Sequence, residues 1–211
     1  MDLALADFNQ ALKINEQDAI AYYNRGNLYS DQKQYNLAIS DYTQALNINP
    51  QYADAYNNRG NLYKQQQQYD LALSDYTQAI KVNHQFAQAY NNRGIIYKEQ
   101  KQYDSALSDY TQAIKVNPQY ADAYHNRGSL YSAQKQYDLA LSDFNQAIKV
   151  NPQYADAYQN RAVSYALTKQ FQKALSDAEK AAELYEKQRN EAGFQKAQKL
   201  LNLIRQAMNE N

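Results

Sequence analysis

The sequence predicts an all-α protein, built as an array of stacked antiparallel helix pairs. The main observation is a motif that recurs five times at a constant spacing of 34 residues, with an arginine marking the period. A tyrosine and an alanine further along keep the same step. A fixed period of about 20–50 residues is the signature of solenoids and other repeat folds. The three series are Arg25, Arg59, Arg93, Arg127 and Arg161; Tyr29, Tyr63, Tyr97, Tyr131 and Tyr165; and Ala38, Ala72, Ala106, Ala140 and Ala174.

Each unit contains two helical patterns separated by a polar turn. In the unit from Ala53 to Phe86, the first pattern has apolar or packing residues at steps of three and four, which is typical of one helix face. The stretch KQQQQYD interrupts it, and a second stripe follows. NHQF, or NPQY in other units, ends the second helix, because proline cannot continue a helix. The stripes are Ala55, Tyr56, Arg59, Leu62 and Tyr63, then Ala72, Asp75, Tyr76, Ala79 and Ile80.

The chain divides by this period into five full units and two ends. The first end matches only the second helix of a unit, so we expect a fragment of a longer bacterial-type array. The second end has lost the pattern and predicts an amphipathic capping helix with Ala192, Ala197, Leu200, Leu201 and Ile204 on its apolar side. Such a helix would cover the exposed end of the last repeat. The expected boundaries are 1–18 (half unit), 19–52, 53–86, 87–120, 121–154, 155–188 and 189–211 (capping helix).

Composition excludes several classes of function. Lys plus Arg equal Asp plus Glu at 22 each, which argues against a partner held by charge, such as nucleic acid or an anionic membrane. The chain has no cysteine, so it has no disulfide, thiolate nucleophile or cysteine-ligated zinc. No phosphate-binding loop or nucleophile signature occurs, and no signal peptide or apolar span is recognisable. We therefore expect a cytoplasmic protein that is not an enzyme and has no cofactor.

The repeat resembles the tetratricopeptide repeat, in a variant with Asn-Arg-Gly in the first helix and Asp in the second. That family has an aromatic at position four, a small residue at eight, an aromatic at eleven, and then alanine, aromatic, alanine and proline. The unit from Ala121 supplies these as Tyr124, Gly128, Tyr131, Ala140, Phe144, Ala147 and Pro152. The resemblance implies a right-handed α-solenoid superhelix whose first helices line a concave groove, which binds a protein or an extended peptide.

The resemblance also implies which residues line the groove. Position six is asparagine in every unit, and an asparagine amide offers both donors and an acceptor to a peptide backbone. This row is similar to the asparagine ladder of O-linked N-acetylglucosamine transferase; the alternative is that these side chains serve solubility and packing. The candidate residues are Asn24, Asn58, Asn92, Asn126 and Asn160 at position six; Tyr23, Asn57, Asn91 and His125 at five; Asn27 and Asn61 at nine; and Lys64 and Lys98 at twelve.

The arginine of the motif falls on the face that should be buried. A buried cation needs a partner, and only position 23 is acidic in every unit, as in Asp41, Asp75 and Asp109. We expect an Arg–Asp ladder; pairing of Arg59 with Asp75 of its own unit or with Asp41 of the preceding unit both remain open. The rival interpretation is a catalytic Arg–Asp pair, which a fivefold copy disfavours.

Other side chains have simpler interpretations. The glycine at position eight allows two helices to approach closely, and the tyrosines match buried positions better than a platform for stacking bases. His84 and His125 lack a second histidine at metal-ligand spacing. An acidic peptide tail is a poor ligand, because the groove lacks the lysines with which some family members clamp such tails.

Three hypotheses for function remain. The first is a protein-interaction scaffold that binds an extended segment in its groove. The second is a structural solenoid that self-associates through its repeat ends. The third is the recognition arm of a larger enzyme.

Overall fold

The computed structural model describes residues 3–210, which form two compact units, Met1–Lys101 and Gln102–Asn211. Each unit contains six α-helices, and the described residues contain no β-strand. The first unit contains α1 (Leu3–Ile14), α2 (Ala19–Asp31), α3 (Tyr35–Ile48), α4 (Ala53–Gln65), α5 (Tyr69–Val82) and α6 (Ala87–Glu99). The second contains α7 (Tyr103–Val116), α8 (Ala121–Ala133), α9 (Tyr137–Val150), α10 (Ala155–Leu167), α11 (Phe171–Lys187) and α12 (Glu191–Asn209).

Consecutive helices pack against one another within each unit. In the first unit α2 packs on α3 and α4 on α5, while α1, α3 and α5 each contact the helix that follows. In the second unit α8 packs on α9, α10 on α11 and α11 on α12. First helices also contact one another, as α4 does α6 and α10 does α8. Contacts that alternate within and between neighbouring helix pairs define an α-solenoid, which confirms the predicted fold class.

The turn inside each helix pair depends on a residue with positive φ that is not glycine. Lys33 has φ 59°. Its neighbour Gln34 donates its backbone N–H to the Tyr29 carbonyl at 2.8 Å, and Lys33 donates to Ser30 at 2.9 Å. This is the Schellman pattern, which satisfies carbonyls at the end of a helix. The same left-handed backbone recurs at Gln67, Lys101, Lys135, Lys169 and Arg189.

The core of each helix pair is an aromatic ring packed against a glycine. Tyr76 on α5 is fully buried, and a Cβ added to Gly60 on α4 would lie 2.9 Å from its Cε1 atom. The second helices fill the same place with Tyr42 and Phe144, which face Gly26 and Gly128. Only glycine therefore permits the two helices to approach this closely, as the sequence predicted.

The last repeat changes both members of this pair. Position 24 of its second helix is Ala178, and position eight of its first helix is Ala162, and both are fully buried. A methyl group thus replaces the glycine in the repeat whose second helix has alanine in place of the aromatic residue. Close packing of this kind is expected because protein interiors leave little unfilled volume.

The C-terminal helix α12 packs against α10 and α11. Ala197, Leu201 and Ile204 are buried, and Leu200 is partly buried against the same core. The expectation for Ala192 is wrong, because that side chain is exposed. The helix begins at Glu191 with the Asn190 side chain accepting the Gly193 N–H at 2.9 Å, and this start turns Gly193 toward Tyr185.

Candidate functional site

Arginine and aspartate of the same repeat form the predicted ladder. Arg59 on α4 donates from Nη2 to Asp75 Oδ1 at 2.7 Å and from Nε to Oδ2 at 2.8 Å. The exposed fractions of the two side chains are 15% and 6%. Burial raises the pKa of the Asp75 carboxyl, and the hydrogen bonds and charge of Arg59 oppose that rise. Bidentate pairs of this kind also join Arg25 to Asp41, Arg127 to Asp143 and Arg161 to Asp177.

The remaining guanidinium nitrogen reaches the preceding repeat. Arg59 Nη1 donates to Thr43 Oγ1 at 2.9 Å, so one arginine ties its own second helix to the one before it. The guanidinium also lies over the rings of Tyr56 and Tyr63, each 5.8 Å from the centroid. In the sequence, this contact corresponds to a short polar residue, asparagine or threonine, that recurs at position 25 at intervals of 34 residues. The corresponding bonds join Arg25 to Asn9, Arg93 to Thr77, Arg127 to Thr111 and Arg161 to Asn145. The ladder is therefore a structural element.

The asparagines at position six also connect consecutive repeats. Asn58 Nδ2 donates to Tyr23 Oη and Asn27 Oδ1, both at 3.1 Å. Asn92 Nδ2 repeats the pattern with Asn57 Oδ1 at 3.2 Å and Asn61 Oδ1 at 3.1 Å. Position six thus donates to positions five and nine of the repeat before it. Asn160 does the same toward His125 Nε2 at 2.9 Å and Ser129 Oγ at 3.2 Å.

These hydrogen bonds turn the NH₂ groups of Asn58, Asn92 and Asn160 toward the preceding repeat. The NH₂ groups of Asn92 and Asn160 are taken by the preceding repeat. Within residues 3–210 their side-chain oxygens receive no hydrogen bond, and neither oxygen is buried without a partner, so both are open to solvent. The outward-facing atom of Asn92 and Asn160 is therefore an acceptor, whereas the oxygen of Asn58 accepts a hydrogen bond from Asn57 Nδ2 at 3.3 Å. Asn24 on α2 and Asn126 on α8 are half-buried at the same position.

Two of the expected groove residues are buried. Asn57 and Asn91 expose only 7% and 3% of their surface, so the expectation that they are open to a ligand is wrong. For Asn57 the reason is that the next repeat covers it, because the Asn92 amide donates to its side-chain oxygen. Tyr23 and His125 occupy the same place half-buried, with rings 4.7 Å from Tyr52 and 5.0 Å from Tyr154.

Polar side chains surround a cavity of about 400 Å³ between α2, α3 and α4. Helix α2 contributes positions nine, twelve and thirteen, and α4 contributes positions six, nine and ten. Two hydrogen bonds hold the wall, because Tyr42 Oη donates to Asn27 Oδ1 at 2.7 Å and Asn58 Nδ2 donates to the same oxygen. The lining residues are Asn27, Ser30, Asp31, Tyr42, Asn58, Asn61 and Leu62. This cavity brings three of the predicted groove residues together.

Position twelve is lysine on two of the first helices, α4 and α6. Lys64 on α4 and Lys98 on α6 are both half-buried. Burial lowers the pKa of Lys64, and the charge of Glu99 on α6 opposes that change. A compensating charge for Lys64 therefore comes from the following repeat.

The second unit has an apolar cavity at the equivalent place. Val163, Ala166 and Leu167 of α10 line it at positions nine, twelve and thirteen, opposite Leu200 and Leu203 of α12. Its volume is about 250 Å³. The same structural position is thus polar at the first repeat and apolar at the last.

The part of the chain that the structure describes offers few groups of side chains suited to catalysis or metal binding. Residues 3–210 contain no group of three or more histidine, aspartate or glutamate side chains able to hold a metal. His84 is exposed in a turn, far from the site. None of the described helices has the length and apolar character needed to cross a bilayer.

The fold and the site together define a repeat protein of the scaffold class. The tetratricopeptide repeat model matches residues 53–86, 87–120, 121–154 and, in a second form, 144–176, and a TPR repeat model matches 1–33 and 26–67. The chain belongs to the tetratricopeptide repeat family. Comparison with curated protein sequences gave no match.

Solved structures of this family share the fold. YrrB, described as a TPR protein with an unusual peptide-binding site, is 28% identical, with a TM-score of 0.67 over 91% of this chain and 97% of its own. MamA is 22% identical, with a TM-score of 0.67 over 82% of this chain and 94% of its own. Yeast Tom70 is 18% identical, with a TM-score of 0.75 over 97% of this chain and 44% of its own. Proteins of this fold generally serve as non-catalytic scaffolds for protein partners.

Proposed function

We propose that this protein is a non-catalytic scaffold that binds an extended peptide segment of a partner protein along the face of its first helices. The observation that carries this proposal is the row of position-six asparagines. Because the preceding repeat takes the amide donors, the oxygens of Asn92 and Asn160 face solvent as fixed acceptors. The backbone N–H groups of an extended segment are their natural partners, since such a segment has no internal hydrogen bonds.

The similarity to YrrB supports the same proposal, because that protein is described as having a peptide-binding site and 97% of it is covered. The half-buried Tyr23 and His125 and the lysines Lys64 and Lys98 flank the row and would contact side chains of the segment. A cytoplasmic location is part of this proposal. The proposal also includes no nucleic-acid or membrane partner, since the net formal charge is zero.

A random 12-residue peptide library, displayed on phage and selected on the protein, tests the proposal. Selected peptides should bind the protein in solution, and methylation of individual backbone nitrogens of the peptide should weaken that binding. Each lost hydrogen bond should cost roughly 1 kcal/mol, or about fivefold in Kd by fluorescence anisotropy. This scan changes only the ligand, so it does not disturb the bonds between repeats. Peptides indifferent to methylation at every position would contradict the backbone clamp.

A variant of the protein provides the matching test. Changing Asn92 and Asn160 to alanine should weaken the same peptides about 30-fold, as expected from two lost hydrogen bonds of about 1 kcal/mol each. Thermal unfolding should accompany this measurement, because these side chains also join repeats. Asn47→Ala on α3 and Asn202→Ala on α12 remove exposed asparagines away from this face and should leave binding unchanged.

Self-association is a second candidate function, and one observation favours it. Leu3 and Ile14 of α1 and Ile20 of α2 are 82%, 79% and 63% exposed. Exposed apolar side chains grouped at one end of a solenoid are typical of contact surfaces. Sedimentation equilibrium on the whole chain would decide, because an assembly should dissociate when Leu3 and Ile14 become serine. A monomer at high concentration would exclude this candidate.

A further inference from the structure

The polar cavity between α2, α3 and α4 has one formal charge, the carboxylate of Asp31. We propose that this cavity is a subsite for a basic side chain, arginine or lysine, of the bound segment. The inference rests on the proposed function and adds the chemistry that one part of the site selects.

Asp31 keeps its charge free for a ligand. It ends α2 with an exposed side chain and forms no ion pair among the described residues. The one lysine on the α4 side of the site, Lys64, has its compensating charge in Glu99 on α6. No arginine or lysine lines the cavity. A cation entering it therefore meets one uncompensated negative charge.

The field of Asp31 is felt inside the cavity. The pKa of the Tyr42 hydroxyl is raised, first by burial and then by nearby groups that include Tyr23 and Asp31. Tyr42 forms part of the cavity wall through its bond to Asn27. Hence a ligand group in contact with Tyr42 also lies within the electrostatic reach of the carboxylate, although solvent screens part of the attraction.

The hydrogen-bonding groups of the wall suit a basic side chain. Besides the Asp31 carboxylate, the Ser30 hydroxyl is an acceptor. The side-chain oxygen of Asn58 accepts one hydrogen bond, from Asn57 Nδ2, and has a second lone pair for another. A guanidinium group carries five donors and no acceptor, and an ammonium carries three donors. The volume of about 400 Å³ leaves room for either group with water.

Position thirteen is acidic in two units, as Asp31 and Glu99, and the charge of Glu99 acts on Lys64. The other units have Gln65, Ala133 and Leu167 there. At the last junction, Leu167 lines an apolar cavity with Val163 and Ala166 instead. A charged side chain of the ligand would lose its hydration there without compensation. Apart from Glu99, Asp31 is therefore the one position-thirteen residue on which binding of a basic side chain should depend.

Two peptides that differ in one charge test the inference. Ac-Ser-Gly-Ser-Arg-Ser-Gly-Ser-amide is compared with its twin in which neutral citrulline, nearly the same shape, replaces arginine. Both are titrated into the ¹⁵N-labelled whole chain and followed by ¹H–¹⁵N correlation spectra. We expect the arginine peptide to bind roughly two- to tenfold tighter, in the range of a partly exposed charge pair. The amide signals of Asn27, Asn58 and Asn61 should shift.

Two variants locate the effect. Asp31→Asn removes the charge with little change in shape and should abolish the preference for arginine. Asp138→Asn removes an exposed aspartate of α9 in the second unit and should preserve it. Equal affinity for the two peptides, or a preference that survives Asp31→Asn, would overturn the subsite and leave the proposed function intact. If neither peptide binds and the display library also yields no binder, both proposals fail together.

Discussion

Gly60 of α4 lies directly against the ring of Tyr76 on α5, so that an added Cβ would meet Cε1 at 2.9 Å and Cδ1 at 3.1 Å. Glycine inside a helix costs about 1 kcal/mol relative to alanine. The close approach of the two helices compensates for this cost, because it lets a fully buried ring fill the junction.

Gly60→Ala should lower the free energy of unfolding despite the better helix propensity of alanine. Overpacking a core typically costs about 1–3 kcal/mol, which exceeds the propensity gain of about 1 kcal/mol. The measurement is urea unfolding followed by circular dichroism. In a Tyr76→Ala background the ring is absent, and the same substitution should become stabilising.

The last repeat offers the matched control. In that repeat Ala162 stands at the position of Gly60 and Ala178 at the position of Tyr76, and both are fully buried. Ala162→Gly should therefore be destabilising, by about 1 kcal/mol of helix propensity together with the packing of one buried methyl group. If Gly60→Ala proves stabilising in the unchanged protein, the packing account is wrong.

The Arg59 network should show coupling to two residues and not to a third. Arg59→Met alone leaves Asp75 buried and unpaired and should cost roughly 3–5 kcal/mol, whereas Arg59→Met with Asp75→Leu should cost far less. A double-mutant cycle of Arg59 with Thr43→Val should give a coupling of about 1 kcal/mol, because it removes one hydrogen bond. Chemical denaturation provides each free energy.

Asp41 supplies the negative control for that cycle. It belongs to the preceding repeat and is paired with Arg25. Its coupling with Arg59 should be near zero. A coupling as large as that of Asp75 would place the arginine between two aspartates and contradict the pairing.

The His125 ring should carry hydrogen on Nδ1 and accept a hydrogen bond at Nε2. Asn160 Nδ2 approaches His125 Nε2 at 2.9 Å and donates also to Ser129, so Nε2 must be the acceptor. Long-range ¹H–¹⁵N spectra of the ring distinguish the two tautomers. In Asn160→Asp a carboxylate replaces the donor, and hydrogen should move to Nε2. Hydrogen on Nε2 in the unchanged protein would mean that the asparagine amide is reversed.

The turn between α8 and α9 contains a residue that can be improved. Lys135 has φ 61°, a conformation that costs most side chains roughly 1–2 kcal/mol. Lys135→Gly should therefore stabilise the protein by about 0.5–1 kcal/mol, after subtracting the entropy that glycine loses on folding. Ala133→Gly, at the exposed last residue of α8, serves as the control and should destabilise by a similar amount. Thermal unfolding measures both changes.

The helix pairs could be predicted from the sequence because the period and the stripe of small and aromatic residues act together in every unit. The Arg–Asp ladder could be predicted too, since a buried charge demands a partner and only position 23 supplied one. The sequence could not predict which aspartate pairs with Arg59. Both candidates lie on equivalent helices, and only the distances between helices determine the partner.

The site was harder to predict for a related reason. Position five and position six are neighbours on one helix, so periodicity places both beside the groove. Burial of Asn57 depends on Asn92, a side chain 35 residues away, and therefore on how closely repeats approach. That approach depends on a few ångströms of packing that a stripe of residue types does not encode. Ala192 was misplaced for a different reason, because it lies about two and a half helical turns before Leu201 and so points away from the buried side of α12.

The bonds between repeats use the same positions wherever they are described. Asn92 donates to positions five and nine of the repeat before it, and Tyr23 and Asn27 occupy those positions one repeat earlier. Removal of residues 53–86 would therefore bring Asn92 to Tyr23 and Asn27, and Arg93 to Thr43, with no partner of the wrong chemistry. Loss or duplication of this unit by recombination would therefore preserve these connections. A gene of this kind can change the length of its binding surface in single steps without passing through a misfolded product.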